Sequence, residues 1–443
     1  MSSANTPAGV VSFEEARRIV EEHAERLRAS RGMNLPLAGV EIIDLPAARG
    51  RVLVEPVVAD RDFPPFARAT RDGYAVRAAD VERVPARLEV IGEIKAGDSP
   101  ENYALKDGQT ISIMTGAPLP PGADAVVMVE YARRSDRSVE IQRTVRSGEN
   151  FVLRGAEAKA GQILVECGRR LDHLLIAIAA AVGKKQVKVF RRPRVAVLAT
   201  GDELVELDAT LGAAQIRNSN SYSLTAQIED AGGEATRLSI ARDEPAQLRV
   251  LIQEGLAYDL LLLAGGVSMG KYDLVEQVLT EMSAEFYFTG ASIQPGKPIV
   301  FGSVSGEDVF RPGASHAIPP KPSELESRGS APRYFFGLPG NPVSTMVTFR
   351  LFVQPMMDAL AGARAEPLVF LKAKLKTEIR SKTGLTRFLP AVVLGEFENS
   401  EIELVPWQGS GDIAALARAN CYAVIPPDRE RIAAGEWVSV LLP

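Results

Sequence analysis

The sequence predicts a multidomain chain of the α/β plus β class. Three observations carry this: strand and helix patterns alternate from Arg194 onward, short β-rich runs broken by Gly, Pro and Asp precede them, and short strands return after about Glu366. At 443 residues the chain is also too long for one ordinary core.

Taken in order, residues 12–28 read as an amphipathic helix, with Ser12 placed to cap it and Glu15 in capping-box register. Residues 41–186 hold short β-rich runs, among them 52–59, 88–94, 110–114 and 125–130, in the pattern of small antiparallel barrels or sandwiches. A helix at 171–182 closes on Gly183. Residues 194–200 are apolar almost without interruption, as in a strand covered on both faces. There follow a helix at 221–231 ended by Gly232-Gly233, a strand at 234–240, a helix at 244–256, a strand at 259–264, a helix at 272–282, a strand at 334–338 and a helix at 343–360. Such alternation specifies a parallel α/β sheet. Residues 306–332, rich in Pro, Ser, Glu and Gly, read as an exposed insertion loop, and the chain ends in a small β-domain.

Composition removes several function classes. A hydrophobic fraction of 46% and a charged fraction of 24% are those of a folded globular protein. Net charge is −5, with no basic run interleaved with aromatics, so nucleic acid is not an expected partner. Cys167 and Cys421 are too few for a disulfide framework and lack zinc spacing; buried free thiols are expected. The longest apolar stretch, residues 174–182, falls short of the ~20 residues of a membrane span, and Glu14 and Glu15 are foreign to a signal peptide. The cytoplasm is the default location. With His23, His173 and His316 as the only histidines, chemistry is expected from carboxylates, lysines, metal and backbone amides.

In an open parallel sheet, ligands bind beyond the carboxyl ends of the strands. Three unusual loops fall there: Thr200-Gly201-Asp202-Glu203, Gly265-Gly266-Val267-Ser268-Met269-Gly270 with Asp273 close behind, and Gly337-Leu338-Pro339-Gly340-Asn341-Pro342. Each alone reads as a tight strand-to-helix turn. Together they read as a site where backbone amides bind an anionic, phosphate-bearing ligand. The acids Asp202, Glu203, Asp243 and Asp273 would repel that ligand without a cation between, which implies Mg²⁺. A rival motif is Gly266-Val267-Ser268-Met269-Gly270, which matches a nucleophile elbow. A serine hydrolase needs a downstream histidine, and His316 lies in the insertion loop, a poor place to hold a general base. Ser268 therefore reads better as an anion ligand.

At these residues the chain resembles the molybdopterin molybdenumtransferase family, which includes bacterial MoeA and the gephyrin E domain. The matching segments are Pro64-Pro65-Phe66, residues 71–77, residues 114–120 running on to 122–127, Thr200-Gly201-Asp202-Glu203-Leu204, Asn218-Ser219-Asn220, the loop from Gly265 to Gly270 with Asp273, Pro295-Gly296-Lys297-Pro298, and residues 337–342. Each is weak alone; in the family's order they are specific. Two positions depart: Glu157 stands where an Asp is expected, and Gln294 where bacterial members often carry Lys.

The resemblance implies an elongated N-terminal domain (1–58 and 148–190), an inserted small β-domain (59–147), a MogA-like α/β domain binding molybdopterin (191–363) and a C-terminal β-barrel-like domain (364–443). It implies a homodimer with shared active sites. In such proteins adenylylated molybdopterin is hydrolysed, AMP leaves and molybdate is ligated by the dithiolene, with Mg²⁺ assisting; the molybdopterin adenylyltransferase is a candidate partner. Carried over by position, Asp72, Thr115, Glu203, Asp243, Asp273 and Lys297 are expected to be catalytic. Gly265, Gly266, Ser268, Gly270, Pro339, Gly340, Pro342, Arg387 and Ser410 are expected to bind substrate, and Glu203, Asp243 and Asp273 to hold the metal. Tungstate insertion by the same chemistry, and a non-catalytic pterin-binding scaffold, are the competing readings.

Overall fold

The computed structural model describes residues 9–33, 39–266, 274–306, 331–396 and 399–443. At its centre lies a six-stranded sheet. Four strands are parallel, in the order Glu234–Arg237, Arg194–Ala199, Leu260–Ala264, Arg333–Leu338. The apolar runs of the three inner strands are explained by what covers them. Val195, Val197, Leu260 and Leu262 face one core, with Leu224, Ile228 and Phe352. Ala196, Leu198, Leu261 and Leu263 face another, with Leu248, Ile252 and Val278. In the three inner strands alternate apolar residues thus enter opposite layers, while the edge strand Glu234–Arg237 keeps Glu234, Thr236 and Arg237 exposed.

The expected all-parallel sheet is corrected at one edge. Val300–Val304 runs antiparallel to Arg333–Leu338, and Glu285–Phe288 antiparallel to Val300–Val304. A hairpin of this kind lacks its usual turn signal because the residues between its strands pair elsewhere. Gly290–Ala291 pairs with Val10–Val11, and Ile293–Gln294 pairs with the barrel strand Thr386–Leu394.

The first helix, Phe13–Met33, starts as its sequence predicts: Ser12 Oγ accepts a hydrogen bond from the Glu15 amide at 3.1 Å. Ala16, Val20 and Ala24, each four residues on, are fully buried on the α/β core. The packed helix there is interrupted by the π-type turn Phe349–Val353 and by Pro355. A proline has no amide to give the preceding turn, and the Leu351 carbonyl accepts instead from Arg17 Nη1 at 2.6 Å.

Residues 73–141 form a six-stranded sheet that is mixed, not purely antiparallel as expected: Ala86–Ile94 and Gln109–Ile113 run parallel. Val40–Asp44 pairs with Gln186–Phe190, and Val57–Val58 with Ile163–Val165, so the two sides of the inserted sheet return to one stem. At the C-terminus five strands close a barrel. Thr386–Leu394 pairs with both Glu401–Leu404 and Cys421–Ile425, Trp437–Leu441 joins Cys421–Ile425 to Leu371–Leu375, and Leu371–Leu375 returns to Glu401–Leu404. Cys421 is buried in that barrel, which pushes its thiol up to about 11. Cys167, expected to be buried, is exposed. Among the described residues no helix is long and apolar enough to cross a membrane.

Candidate functional site

Parallel strands bring their carboxyl ends to one rim, and backbone bonds tie the loops there to each other. Thr200 N donates to Ala264 O, and Gly265 N to Leu338 O, both at 3.1 Å. A Cβ on Gly265 would lie 2.6 Å from the Thr200 carbonyl, at a φ of +98° that side chains avoid. On Gly266 it would lie 2.8 Å from Thr200 Oγ1. These two glycines are thus required by loop-on-loop packing before any ligand arrives. The rest of that loop, with Ser268, Gly270 and Asp273, lies outside the described residues.

Beside it, Gly201 N donates to Ala241 O at 3.1 Å, which brings the loop after the first parallel strand against residues 242–243. Asp202 Oδ1 accepts from the Asp243 amide at 3.3 Å, and Arg242 Nη1 holds the Asp202 carbonyl at 2.8 Å. Partial burial, then the negative charges of Asp202 and Glu203, raise the Asp243 carboxyl above its ordinary value. Among the described residues no three metal-ligating side chains converge on one point; Glu203 and Asp243 are adjacent in the field of the same cluster, and the third expected ligand, Asp273, is not described. Arg242 carried no sequence signal, because its work is done through backbone carbonyls.

The third loop is held from three directions. Asn220 Nδ2 donates to Gly340 O at 2.7 Å, Thr345 Oγ1 to Pro339 O at 2.5 Å, and Asn341 Nδ2 to Ser410 Oγ at 2.9 Å. Val343 N donates to Ser410 O at 3.1 Å. Pro342 opens the helix Pro342–Thr348, where its missing amide costs nothing. Ser410, expected to bind substrate, is brought from the barrel to the rim, where its hydroxyl oxygen accepts from Asn341 and its carbonyl from Val343.

Gln294 and Arg387 are register partners where Ile293–Gln294 joins the barrel. Lys297 is exposed in the turn that follows, and Arg387 gives its guanidinium to the Lys382 carbonyl at 3.0 and 3.3 Å. Asp72 and Thr115 meet in the small β-domain, where the Thr115 amide donates to Asp72 Oδ1 at 2.6 Å and holds that carboxyl below its usual range. Among the described residues neither is hydrogen-bonded to the α/β rim. Glu157 pairs with Arg68 at 2.6 Å.

Comparison with known families agrees with this layout. Residues 11–183 match the MoeA N-terminal region (domain I and II), 196–359 a probable molybdopterin binding domain, and 372–442 the MoeA C-terminal region (domain IV). A molybdopterin molybdenumtransferase of Nostoc sp. is 37% identical over 412 residues, spanning 90% of this chain and 88% of its own. The chain belongs to the molybdopterin molybdenumtransferase family. A second member of the molybdopterin molybdenumtransferase family, from Staphylococcus epidermidis, is 30% identical over 98% of this chain and 95% of its own. Among solved structures, a molybdopterin biosynthesis MoeA protein of Pyrococcus horikoshii superposes with a TM-score of 0.70 at 27% identity, covering 98% of this chain and 100% of that one. Another structure of MoeA under the same genus gives 0.64 at 32% identity over 98% and 99%.

Proposed function

We propose that this protein inserts molybdate into molybdopterin, releasing AMP from adenylylated molybdopterin in a Mg²⁺-dependent step. The observation that carries the reading is the rim itself. Three strand-end loops are locked together beside a carboxylate cluster whose Asp243 carboxyl is raised by partial burial and then by its acidic neighbours. A pyrophosphate-bearing substrate suits the loops, and a divalent cation suits the acids.

Glu203 and Asp243, with Asp273 from the following loop, would hold Mg²⁺, which bound there would neutralise phosphate charge and ease departure of the adenylyl group. The protein's own groups have separate tasks. Asp202 fixes the Asp243 backbone, and Arg242 fixes Asp202. Lys297 and Arg387, exposed or half-buried cations near the barrel junction, attract the incoming oxyanion. Asp72, kept ionised by the Thr115 amide, completes the site from the small β-domain of a second copy. Ser268 and Gly270 bind the phosphates with the rest of their loop. No protein nucleophile is required, which fits a chain with three histidines.

A homodimer is part of the proposal. The helix His173–Ala181 is apolar along nearly its whole length, yet only Ala179 is buried, and Leu174 is 61% exposed. Ile42 on the strand Val40–Asp44 is 63% exposed. Such a surface fits contact with a second copy. We keep the domain boundaries drawn from the sequence, with the first helix seated on the α/β part, and place the protein in the cytoplasm, supplied with substrate by a molybdopterin adenylyltransferase.

The test is incubation of the purified protein with adenylylated molybdopterin, molybdate and Mg²⁺, following AMP. AMP release that needs Mg²⁺ and yields a metal-loaded pterin is the expected result. Tight binding without AMP release would make the protein a scaffold, and preference for tungstate over molybdate would change the metal.

A further inference from the structure

Asn341 occupies the cap position of the helix Pro342–Thr348, a place where asparagine usually accepts a hydrogen bond from the first turn of its own helix. Here its side chain makes no such bond and reaches across to Ser410 Oγ at 2.9 Å. The amide in reach of such a cap, Val343 N, is taken by the Ser410 carbonyl at 3.1 Å. The helix is therefore capped by a different domain, from a barrel loop that Asp412 stiffens by accepting from Gln408 N at 2.9 Å and Ala415 N at 3.1 Å. The partner groups on Ser410 account for its carbonyl and for the acceptor side of its hydroxyl.

From this exchange of caps we infer that Ser410 is a positioning residue, acting on the substrate through Asn341 by fixing the Gly337–Pro342 loop to the barrel. The inference rests on the proposed reaction for its kinetic consequence, though not for its geometry. Asn220 holds Gly340 from the opposite side, and the Val343 N–Ser410 O bond does not depend on the Ser410 side chain, so the hydroxyl bond supplies the side-chain part of the barrel's hold on this flank. The barrel's contribution to the rim is then alignment of that loop, and its loss weakens substrate capture before it slows chemistry.

The test compares Ser410→Ala, Asn341→Ala, the double variant and Ser410→Thr in the full-length protein. Each single alanine is expected to raise KM for adenylylated molybdopterin about five- to tenfold, the loss of one hydrogen bond, with kcat changed less than about twofold. The double variant should be no worse than either single, because both remove the same bond. Ser410→Thr, which keeps the hydroxyl, should restore KM. Single variants whose effects multiply in the double would show Ser410 touching the substrate itself and would overturn the inference, as would wild-type kinetics in Ser410→Ala. Hydrogen exchange of residues 337–345 gives a readout independent of the reaction. Both alanine variants and the double should exchange faster than wild type by the same factor, and unchanged exchange in Ser410→Ala would sink the latch. Absence of turnover in the wild type would instead count against the proposed function, with the exchange result still deciding the latch.

Discussion

Asp243 sits where its charge is least welcome, beside Asp202 and Glu203 and partly out of water. For an acid whose folded value lies above its unfolded one, ionisation opposes folding; stability is highest at low pH and is lost as pH rises from the ordinary carboxylate range through the raised value. Asp243→Asn removes that burden. At neutral pH without metal, its thermal midpoint should exceed that of wild type, and the difference should shrink as pH falls toward the ordinary carboxylate range. Added Mg²⁺ should raise the wild-type midpoint and leave the variant unmoved. An equal Mg²⁺ response in both would remove Asp243 from the metal site. At this scale the acids were legible because charge clusters can be read as such. Gly265 and Gly266 were legible as loop glycines but not for their reason, since the Thr200 atoms that crowd them lie 65 and 66 residues away in the chain.

The first helix shows the same division at the scale of an element. Its period and its Ser12 cap are local, and residues 12–28 were readable as helix on that ground. Its seat on the α/β core is not local: it depends on Ala16, Val20 and Ala24 meeting a surface formed more than 150 residues later. His23 is buried in that seat, its ring 3.9 Å from the Tyr287 ring and its Nδ1 3.2 Å from the Tyr334 hydroxyl. Burial, reinforced by the Arg26 charge and opposed by Glu22, lowers its value from 6.5 to about 4. A base depressed in the fold is neutral there while the unfolded chain takes up a proton, so stability falls as pH drops below 6.5 and stops falling near 4. Urea unfolding should show a loss on the order of 2 kcal/mol between pH 7 and pH 4.5 from this residue. His23→Phe should remove that share of the slope; an unaltered slope would mean that His23 protonates freely in the folded protein.

For the whole molecule, the proposed dimer can be tested by mixing variants. If the small β-domain of one copy serves the α/β rim of the other, Asp72→Asn and Asp273→Asn proteins should each be inactive. Unfolded and refolded together, they should recover about a quarter of wild-type sites, because about half the molecules are mixed and each mixed dimer has one intact site. AMP release measures this, with mass spectrometry counting mixed dimers. Mixed dimers without recovered activity would place both acids in one chain's site. Leu174→Asp, on the exposed apolar helix, should weaken association in light scattering without unfolding the protein.

The amino-acid order alone settled the class of fold, the parallel strands and the identity of the loop residues, because apolar period, glycine pairs and charge clusters are properties of neighbouring residues. It also carried the family resemblance, through short motifs in a specific order. The antiparallel edge, the parallel pair within Ala86–Ile94 and Gln109–Ile113, and the barrel's hold on the third loop through Ser410 depended on partners far away in the chain. A strand records in its own residues whether its faces are covered, but which strand lies beside it, and which domain caps the helix that follows, is set by long-range packing that no local pattern encodes.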